Sequence, residues 1–246
     1  MKDYKRLAET IYTRKSVRAF SKTPVEMFEK DINLIEAFGI EPLIGGIKVQ
    51  VKVLKKDQVI NDRSDYCIAF YSEEKPLHLE NIGFIGQQID LELQSQGLGT
   101  CWWGMKKPKR IYKNIDGLCC AITMTAGFPQ ADETRQYPAG FDRKAIGEII
   151  IGETAPDNLT EAVRVAPSAV NLQPWLIEKI TNKYNFYLKP PKTLMEKMIS
   201  SMRHIDIGIA MAHLFVRAKA DGLNVSLGFE GKDIEQGRYV GSILVG

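Results

Sequence analysis

The sequence has few cysteines, almost no excess of charge and no long hydrophobic run. Four cysteines among 246 residues, two of them adjacent, are too few for a disulfide framework. They form no CxxC pair near a histidine cluster, so the sequence does not predict a zinc site. The 33 Lys and Arg residues against 30 Asp and Glu residues leave a net charge of +3, too small to indicate nucleic acid as the main partner. No apolar run reaches the roughly 18 residues that indicate a membrane span.

The start of the chain and its composition are those of an ordinary globular protein. Met1-Lys2-Asp3-Tyr4-Lys5-Arg6 leads into no apolar segment of the kind that signal peptides carry, so we expect a cytoplasmic protein with no membrane partner. With 44% hydrophobic and 26% charged residues, a chain of this length can bury a large core without a metal or a disulfide.

The chain reads as two similar halves related by a shift of 125 residues. The matching segments are Asn33-Leu34-x-Glu36-Ala37 with Asn158-Leu159-x-Glu161-Ala162, Ile82-Gly83 with Ile207-Gly208, and Gly97-Leu98 with Gly222-Leu223. One fixed offset over such a span predicts an internal duplication of about 120 residues. We therefore predict two domains, 1–152 and 153–246, joined at a stretch with residues that break secondary structure, 152–156.

Each half is predicted to contain a helix, a strand, a long helix and a last strand. In the first half these are a helix over 25–38, opened by the capping box Thr23-Pro24-Val25-Glu26, a strand over 47–54, a helix ended by Gly97, and a strand over 120–124. In the second half they are a helix after Asp157, a strand over 175–180, a helix ended by Gly222, and a strand over 240–245. Helices mixed with amphipathic strands predict an α+β fold, with sheets covered by helices.

The basic segment, residues 14–18, is the first candidate for chemistry. It reads Arg14-Lys15-Ser16-Val17-Arg18, and in an extended chain Arg14, Ser16 and Arg18 share one face. Three charge-assisted hydrogen bonds to one anion, at about 1.5–3 kcal/mol each, would supply a large part of a tight binding energy. The alternative interpretation is a solvated basic turn.

The Pro-Ser loop, residues 166–173, is the second candidate. It runs as Ala166-Pro167-Ser168-Ala169-Val170-Asn171-Leu172-Gln173 into Pro174 and Trp175, and a rigid loop rich in hydrogen-bonding groups suits recognition of a planar polar ring. The alternative is a turn that Trp175 anchors in the core. Between the two candidates, the glycines of Gly97-Leu98-Gly99 could let the backbone approach a ligand closely, whereas Cys101 has no base nearby in sequence and reads as a bystander thiol.

Together these segments resemble the FMN-dependent nitroreductase superfamily, in particular its duplicated single-chain branch, the Putative TM nitroreductase family. The basic segment is similar to that superfamily's Arg-Arg-Ser-Val-Arg motif, and the Pro-Ser loop is similar to its Ala-Pro-Ser-x-x-Asn-x-Gln-Pro-Trp motif. Gly97-Leu98-Gly99, Gly127-Phe128-Pro129 and Arg143-Lys144 resemble three shorter signals of the superfamily. The resemblance covers nearly the whole chain and implies nitroreductase-like layers of sheet and helix.

In that superfamily two identical subunits build each flavin site jointly, whereas here the motifs are divided between the halves. The counterpart of the Pro-Ser loop in the first half, Glu41-Pro42-Leu43-Ile44-Gly45-Gly46, has no Ser and no Asn. The counterpart of the basic segment in the second half, Ala139-Gly140-Phe141-Asp142-Arg143, keeps one arginine. We therefore expect one chain to mimic the family's homodimer, to carry one complete FMN site and to be able to work as a monomer, with further association left open.

The resemblance implies a role for each site residue and leaves the chemistry to the cofactor. Those expected to hold the phosphate or the ribityl chain are Arg14, Lys15, Ser16, Arg18 and Arg143, and those expected at the ring are Pro167, Ser168, Ala169 and Asn171, supported by Gln173. No catalytic side chain is expected, because hydride transfer takes place at flavin N5. Backbone near residues 99–101 is expected at that edge of the ring.

The implied activity is the reduction of nitroaromatic or quinone-like small molecules by NADH or NADPH through FMN, in two-electron steps. Reductive dehalogenation on the same fold is an alternative, and so is a flavin-binding sensor or non-catalytic scaffold. A nucleic-acid binder that uses the basic run at residues 106–110 is the least supported interpretation, since no aromatic residue is interleaved with the run.

Overall fold

The computed structural model describes residues 2–22, 33–60, 64, 66–104, 107–130, 140–152 and 155–246. The predicted capping box at Thr23 and most of the helix predicted over 25–38 lie outside these residues. Of that helix, the structure describes the last turn, which forms the short helix α2.

Six helices and twelve strands are found in the described residues. The helices are α1 (Tyr4–Ile11), α2 (Leu34–Phe38), α3 (His78–Ser95), α4 (Asn158–Arg164), α5 (Leu194–Met198) and α6 (Ser200–Ala220). The strands are β1 (Val49–Lys55), β2 (Val59–Ile60), β3 (Tyr66–Ser72), β4 (Gly99–Trp102), β5 (Lys107–Pro108), β6 (Asn114–Ile115), β7 (Leu118–Gly127), β8 (Ile150–Ile151), β9 (Trp175–Ile180), β10 (Lys183–Leu188), β11 (Val225–Gly228) and β12 (Arg238–Val245). None of these helices is both long enough and apolar enough to cross a membrane.

The strands form two main sheets, so the predicted α+β class is confirmed. The first sheet has the order β1-β3-β7-β4, with β6 pairing beside β7, and all of its pairs are antiparallel. The second has the order β11-β12-β10-β9-β8 and is antiparallel except for β8 and β9. Residues 150–151, which the predicted domain boundary assigns to the first half, therefore belong to the second sheet. The division into two domains stays a prediction.

The order of elements is the same in both halves. The strands β1, β3, β4 and β7 occupy the sheet positions that β9, β10, β11 and β12 occupy in the second half, and the long helices α3 and α6 follow the second strand in each case. The offset of 125 residues does not hold throughout. The connection from β1 to β3 spans residues 56–65, whereas β9 and β10 are joined by residues 181–182 alone.

The helices α3 and α6 cross at two glycines that make reciprocal contacts. A Cβ atom built on Gly83 would overlap the carbonyl oxygen of Ile205, and one built on Gly208 would overlap the carbonyl oxygen of Glu80. Gly83 and Gly208 are 125 positions apart, and so are their partners Glu80 and Ile205. The contact therefore has the reciprocal form of a two-fold interface. This is the packing that a duplicated chain would have, and the duplication itself stays a prediction.

Local signals account for the ends of the main helices. The side chain of Asp157 accepts a hydrogen bond from the backbone N–H of Thr160 at 2.8 Å and so caps α4. Gly97 and Gly222, with φ of +82° and +77°, follow α3 and α6 in the left-handed conformation that glycine adopts without strain. Phe84 of α3 and Phe215 of α6 pack edge to face in the core between the two helices.

Candidate functional site

One cleft lies between the basic segment of the first half and the Pro-Ser loop of the second half. Its lining residues are Ser16, Arg18, Cys101, Trp102, Gly104 and Ile122 from the first half, and Pro167, Ser168, Ala169, Val170, Met202, Ile205, Asp206 and Ile209 from the second. Five of the ten predicted cofactor-binding residues are therefore brought together, namely Ser16, Arg18, Pro167, Ser168 and Ala169. The enclosed volume is about 120 Å³.

The basic segment reaches the cleft because it pairs with strand β4. The N–H of Val17 donates to the carbonyl of Thr100 at 2.9 Å, and Ser16 forms an isolated parallel bridge with Thr100. A Cβ atom on Gly99 would lie 2.8 Å from the side chain of Val17, so glycine is needed for this pairing. Gly99 packs closely on Val17, and the approach expected between backbone near residues 99–101 and a ligand stays a prediction.

Arg14 does not line the cleft in the described structure, and its expected contact with a phosphate stays a prediction. Its side chain is buried, and its Nε lies 2.9 Å from Oδ2 of Asp90. Asp90 also accepts hydrogen bonds from Gln87 at 2.8 Å, from Gln94 at 2.8 Å and from the hydroxyl of Thr100. A buried cation needs such a partner. Arg14 reaches the site indirectly, since its Nη2 lies 3.3 Å from Oγ of Ser16.

The two remaining cations of the basic segment differ in their positions. Lys15 is half-buried, and its backbone N–H donates to Oε1 of Gln94 at 3.0 Å, while its side chain is outside the lining of the cleft that the structure describes. Arg18 is exposed, lines the cleft and donates to the carbonyl of Ser16 at 3.3 Å. Arg18 and Ser16 are therefore the members of the segment that can meet an anion in the cleft.

Arg143 holds the Pro-Ser loop and is not among the described lining residues of the cleft, so its expected contact with a phosphate stays a prediction. Its Nε donates to the carbonyl of Ala166 at 3.0 Å, and its Nη1 donates to Oδ1 of Asn171 at 2.9 Å. Nζ of the next residue, Lys144, donates to the carbonyl of Leu172 at 2.7 Å. Arg143 and Lys144 thus donate hydrogen bonds to carbonyl groups of the loop from outside the cleft.

Asn171 and Gln173 also stabilise the loop and do not reach the cleft lining. The amide nitrogen of Asn171 donates to the carbonyl of Asp142 at 3.0 Å. Gln173, which is 2% exposed, accepts from the N–H of Lys144 at 2.8 Å and donates to the carbonyl of Asn171 at 3.1 Å. These bonds fix a left-handed backbone at Val170, Asn171 and Gln173, with φ of 45°, 58° and 49°. A β-branched residue such as Val170 adopts this conformation only when its surroundings impose it.

The part of the loop that faces the cleft is residues 167–170. Pro167 is buried, and Oγ of Ser168 accepts from the N–H of Gln173 at 2.9 Å. Val170 is 69% exposed at the mouth of the cleft. The loop therefore presents a rigid, mainly apolar surface.

Asp206 on α6 is a cleft residue that the sequence analysis missed. Its Oδ1 accepts a hydrogen bond from the N–H of Ala169 at 3.0 Å, so it anchors the Pro-Ser loop. Burial raises the pKa of this carboxyl to about 8, although the Ala169 N–H and the nearby Arg203 act to lower it. The signal for Asp206 in the sequence was an acidic residue between Ile205, Ile207 and Ile209, where a helix face is otherwise apolar.

The first-half wall of the cleft carries Cys101 and Trp102. Burial raises the pKa of the Cys101 thiol, which disfavours the thiolate and argues against a nucleophilic role. The ring of Trp102 stacks on Phe70 with centroids 5.4 Å apart, and its Nε1 donates to Oε1 of Gln87 at 3.2 Å. The tryptophan is thus a fixed aromatic wall.

A larger cavity, of about 410 Å³, lies beside the start of α6, and its lining includes Lys189, Arg203, His204 and Arg238. No residue of the basic segment or of the Pro-Ser loop is among its described lining residues. The smaller cleft is therefore the candidate site, because both sequence motifs meet there.

Comparison with known proteins identifies the family. A family model described as Putative TM nitroreductase matches residues 6–218. A solved structure of a putative nitroreductase from Thermotoga maritima is 21% identical, with a TM-score of 0.64 over 100% of this chain and 94% of that one. A nitroreductase family protein from Clostridium difficile is 16% identical, with a TM-score of 0.47 over 60% of this chain and 98% of that one. No curated protein matches this chain.

The Thermotoga maritima structure shows that the fold is that of a nitroreductase. The family model spans well over half of the chain. Membership of this family supports an oxidoreductase activity. The chain belongs to the Putative TM nitroreductase family.

Proposed function

We propose that this chain is an FMN-dependent oxidoreductase in which NADH or NADPH supplies the electrons that reduce nitroaromatic or quinone-like acceptors. The observation that supports the proposal is the convergence of two motifs, far apart in sequence, on one cleft: Ser16 and Arg18 on one side and residues 167–169 on the other. One chain supplies both sides, so it is proposed to act as a monomer.

The residues of the cleft fit an anionic ligand with a planar ring. Arg18 and Ser16 offer a cation and a hydroxyl, the donor types that bind phosphate oxygens. Trp102, Ile205 and Ile209 offer apolar walls on which a ring can rest. The enclosed volume of about 120 Å³ is below the 300–1,000 Å³ of sites that bury most of a ligand, so a mononucleotide would extend beyond it toward the exposed Arg18.

The protein's part in such a reaction is binding and orientation. When bound, a flavin supplies hydride acceptance and donation at N5. Ser16 and Arg18 would hold the phosphate end, and the Pro-Ser loop would fix the ring and exclude water from one side of it. Arg14, Arg143 and Lys144 would act at a distance, by holding Ser16 and the loop in place.

The proposal is tested first on the purified protein as isolated from cells and reconstituted with FMN. It should show the visible absorption bands of an oxidised flavin, and NADH or NADPH should bleach them. Protein that takes up no flavin would refute the proposal. Bound flavin that neither nicotinamide reduces would favour the sensor or scaffold alternative.

Arg18→Ala tests the phosphate contact directly. Loss of one charge-assisted hydrogen bond, at about 1.5–3 kcal/mol, should weaken FMN affinity about 10- to 100-fold, as measured by quenching of flavin fluorescence. Arg217→Ala is the matched control, because Arg217 pairs with Asp221 on the surface of α6 and should leave FMN affinity unchanged. Unchanged affinity in Arg18→Ala would remove Arg18 from the site.

A further inference from the structure

The bond between Asp206 and the Pro-Ser loop has a counterpart in the first half of the chain. There Oδ1 of Asn81 on α3 accepts a hydrogen bond from the N–H of Ile44 at 3.1 Å, as Oδ1 of Asp206 on α6 accepts from the N–H of Ala169 at 3.0 Å. Asn81 and Asp206 are 125 positions apart, and so are Ile44 and Ala169. In the first half an amide makes the loop contact that a carboxyl makes in the second half. Anchoring the loop therefore does not by itself require an acid at position 206.

Burying the acid carries a cost. Asp206 is 3% exposed, and within the described residues its Oδ2 has no hydrogen-bond partner. A buried polar atom without a partner is unfavourable, and a buried charge is more so. Among the residues described, Asn81 also has one atom without a hydrogen-bond partner, Nδ2. The Asn81 side chain is fully buried away from the cleft, whereas Asp206 lies in the wall of the cleft.

Two groups near Asp206, the Ala169 N–H and Arg203, favour its carboxylate, but burial outweighs them. Arg18 and Cys101 line the same cleft from the first half. Arg203, one turn earlier on α6, donates to the carbonyl of Lys189 at 2.7 Å and lies 3.7 Å from Glu196. On α3, which packs against α6, Glu80 pairs with His204 at 2.6 Å and with Arg238 at 3.1 Å. With burial the largest influence, the pKa of Asp206 rises to about 8, and the carboxyl keeps its proton at pH 7.

We propose that Asp206 is a catalytic proton donor, which gives its proton to a carbonyl oxygen of a quinone-type acceptor bound at the open side of the cleft. The proposal rests on the proposed function and names its substrate class. Reduction of a quinone to a hydroquinone takes one hydride, which carries two electrons and which reduced flavin would provide, and one proton, which the Asp206 carboxyl provides. Asp206 becomes a carboxylate in the step and regains a proton from solvent through the open side of the cleft.

Single-turnover kinetics with duroquinone tests this step. The fully substituted ring of this quinone offers no free position to the thiol of Cys101. The holoenzyme is reduced with one equivalent of NADH or NADPH and mixed with duroquinone, and the return of flavin absorbance is followed at pH 6–9. General acid catalysis contributes about 10²- to 10⁴-fold, so Asp206→Asn should slow reoxidation at least 100-fold. The wild-type rate should fall above pH 8, and Asp206→Asn should remove this fall.

FMN affinity and two further variants, Asp206→Glu and Asp221→Asn, separate proton donation from loop anchoring. Asp206→Asn should bind FMN within about twofold of the wild type, because an amide accepts the Ala169 N–H as Asn81 accepts that of Ile44. Asp206→Glu keeps an acid and should recover part of the rate. Asp221→Asn is the control, because this aspartate follows the far end of the same helix and pairs with Arg217. Reoxidation in Asp206→Asn within twofold of the wild type would overturn the proposal.

An infrared measurement needs no turnover and no variant. The wild-type protein should show the carbonyl stretch of a protonated carboxyl group. That band should shift when duroquinone binds to the oxidised protein and fade as the pH rises through about 8. Absence of the band at pH 7 would overturn the proposal even if flavin binds normally. Failure of the wild type to bind flavin would instead refute the proposed function.

Discussion

The protonated state of Asp206 predicts a measurable cost to stability. In the folded protein its carboxyl has a pKa of about 8, against 3.8 for an ordinary aspartic acid. Between these values the folded state binds a proton that the unfolded state releases, so the free energy of unfolding decreases as pH rises. At pH 7, which is 3.2 pH units above the ordinary pKa of 3.8, the free energy of unfolding has decreased by about 1.36 kcal/mol for each unit. The cost to stability is therefore about 4 kcal/mol.

Asp206→Asn should remove this cost while keeping the bond to the Ala169 N–H. We expect the variant to be more stable than the wild type by about 2 kcal/mol at pH 5 and by about 5 kcal/mol at pH 8, with no further increase above pH 9. Urea denaturation followed by circular dichroism at four or five pH values gives the two curves. Asp221→Asn, on the surface, provides the control for a simple loss of charge.

The dependence on pH distinguishes this explanation from others. A constant difference between wild type and Asp206→Asn from pH 5 to 8 would show that the carboxyl has no raised pKa. A variant that is less stable at every pH would show that the carboxylate is the form that anchors the loop. Either result would refute the reasoning about burial, whereas a widening gain in stability would support it.

Two other substitutions test the packing around the site. Gly208→Ala should destabilise the protein by about 1–3 kcal/mol in urea denaturation, because its Cβ would overlap the carbonyl oxygen of Glu80 at the helix crossing. In the control Gly147→Ala nothing lies within 4 Å of the new atom, so its stability should change by less than about 0.5 kcal/mol. Equal effects of the two substitutions would contradict the close contact at the crossing. Arg143→Ala should leave the carbonyl of Ala166 without this donor, cost about 1–2 kcal/mol, and speed hydrogen exchange of the amides at residues 168–173 as seen by mass spectrometry; unchanged exchange there would show that Arg143 does not hold the loop.

The sequence patterns predicted part of the secondary structure. Strand β9 was predicted over 175–180 and is found there, and the second-half counterpart of α2 begins after Asp157 as expected. Strand β3 was missed because all seven of its residues are buried, so no alternation of polar and apolar side chains marks it. Its counterpart β10, which occupies the equivalent position in the second sheet, was missed too.

The motifs predicted which segments meet, but not which of their side chains line the cleft. Ser16 and Ser168 line the cleft, whereas Arg14, Asn171 and Gln173 stabilise the backbone beside it. The sequence could not separate these roles, because arginine and the amides form the same hydrogen bonds with a ligand as with a main-chain carbonyl. Partners such as Asp90 for Arg14 are distant in sequence and become visible only in the fold.

The two halves explain each other's chemistry at positions 81 and 206. Because each side chain accepts a hydrogen bond from an equivalent loop, the loop contact accounts for the acceptor oxygen and not for the choice between amide and acid. At position 81 the side chain is fully enclosed, and the neutral amide avoids a buried charge. At position 206, beside the cleft, the acid persists despite its cost to stability. A residue retained against stability at a cleft is best explained by the chemistry of that cleft, and the property that separates the acid from the amide is a proton that it can give up.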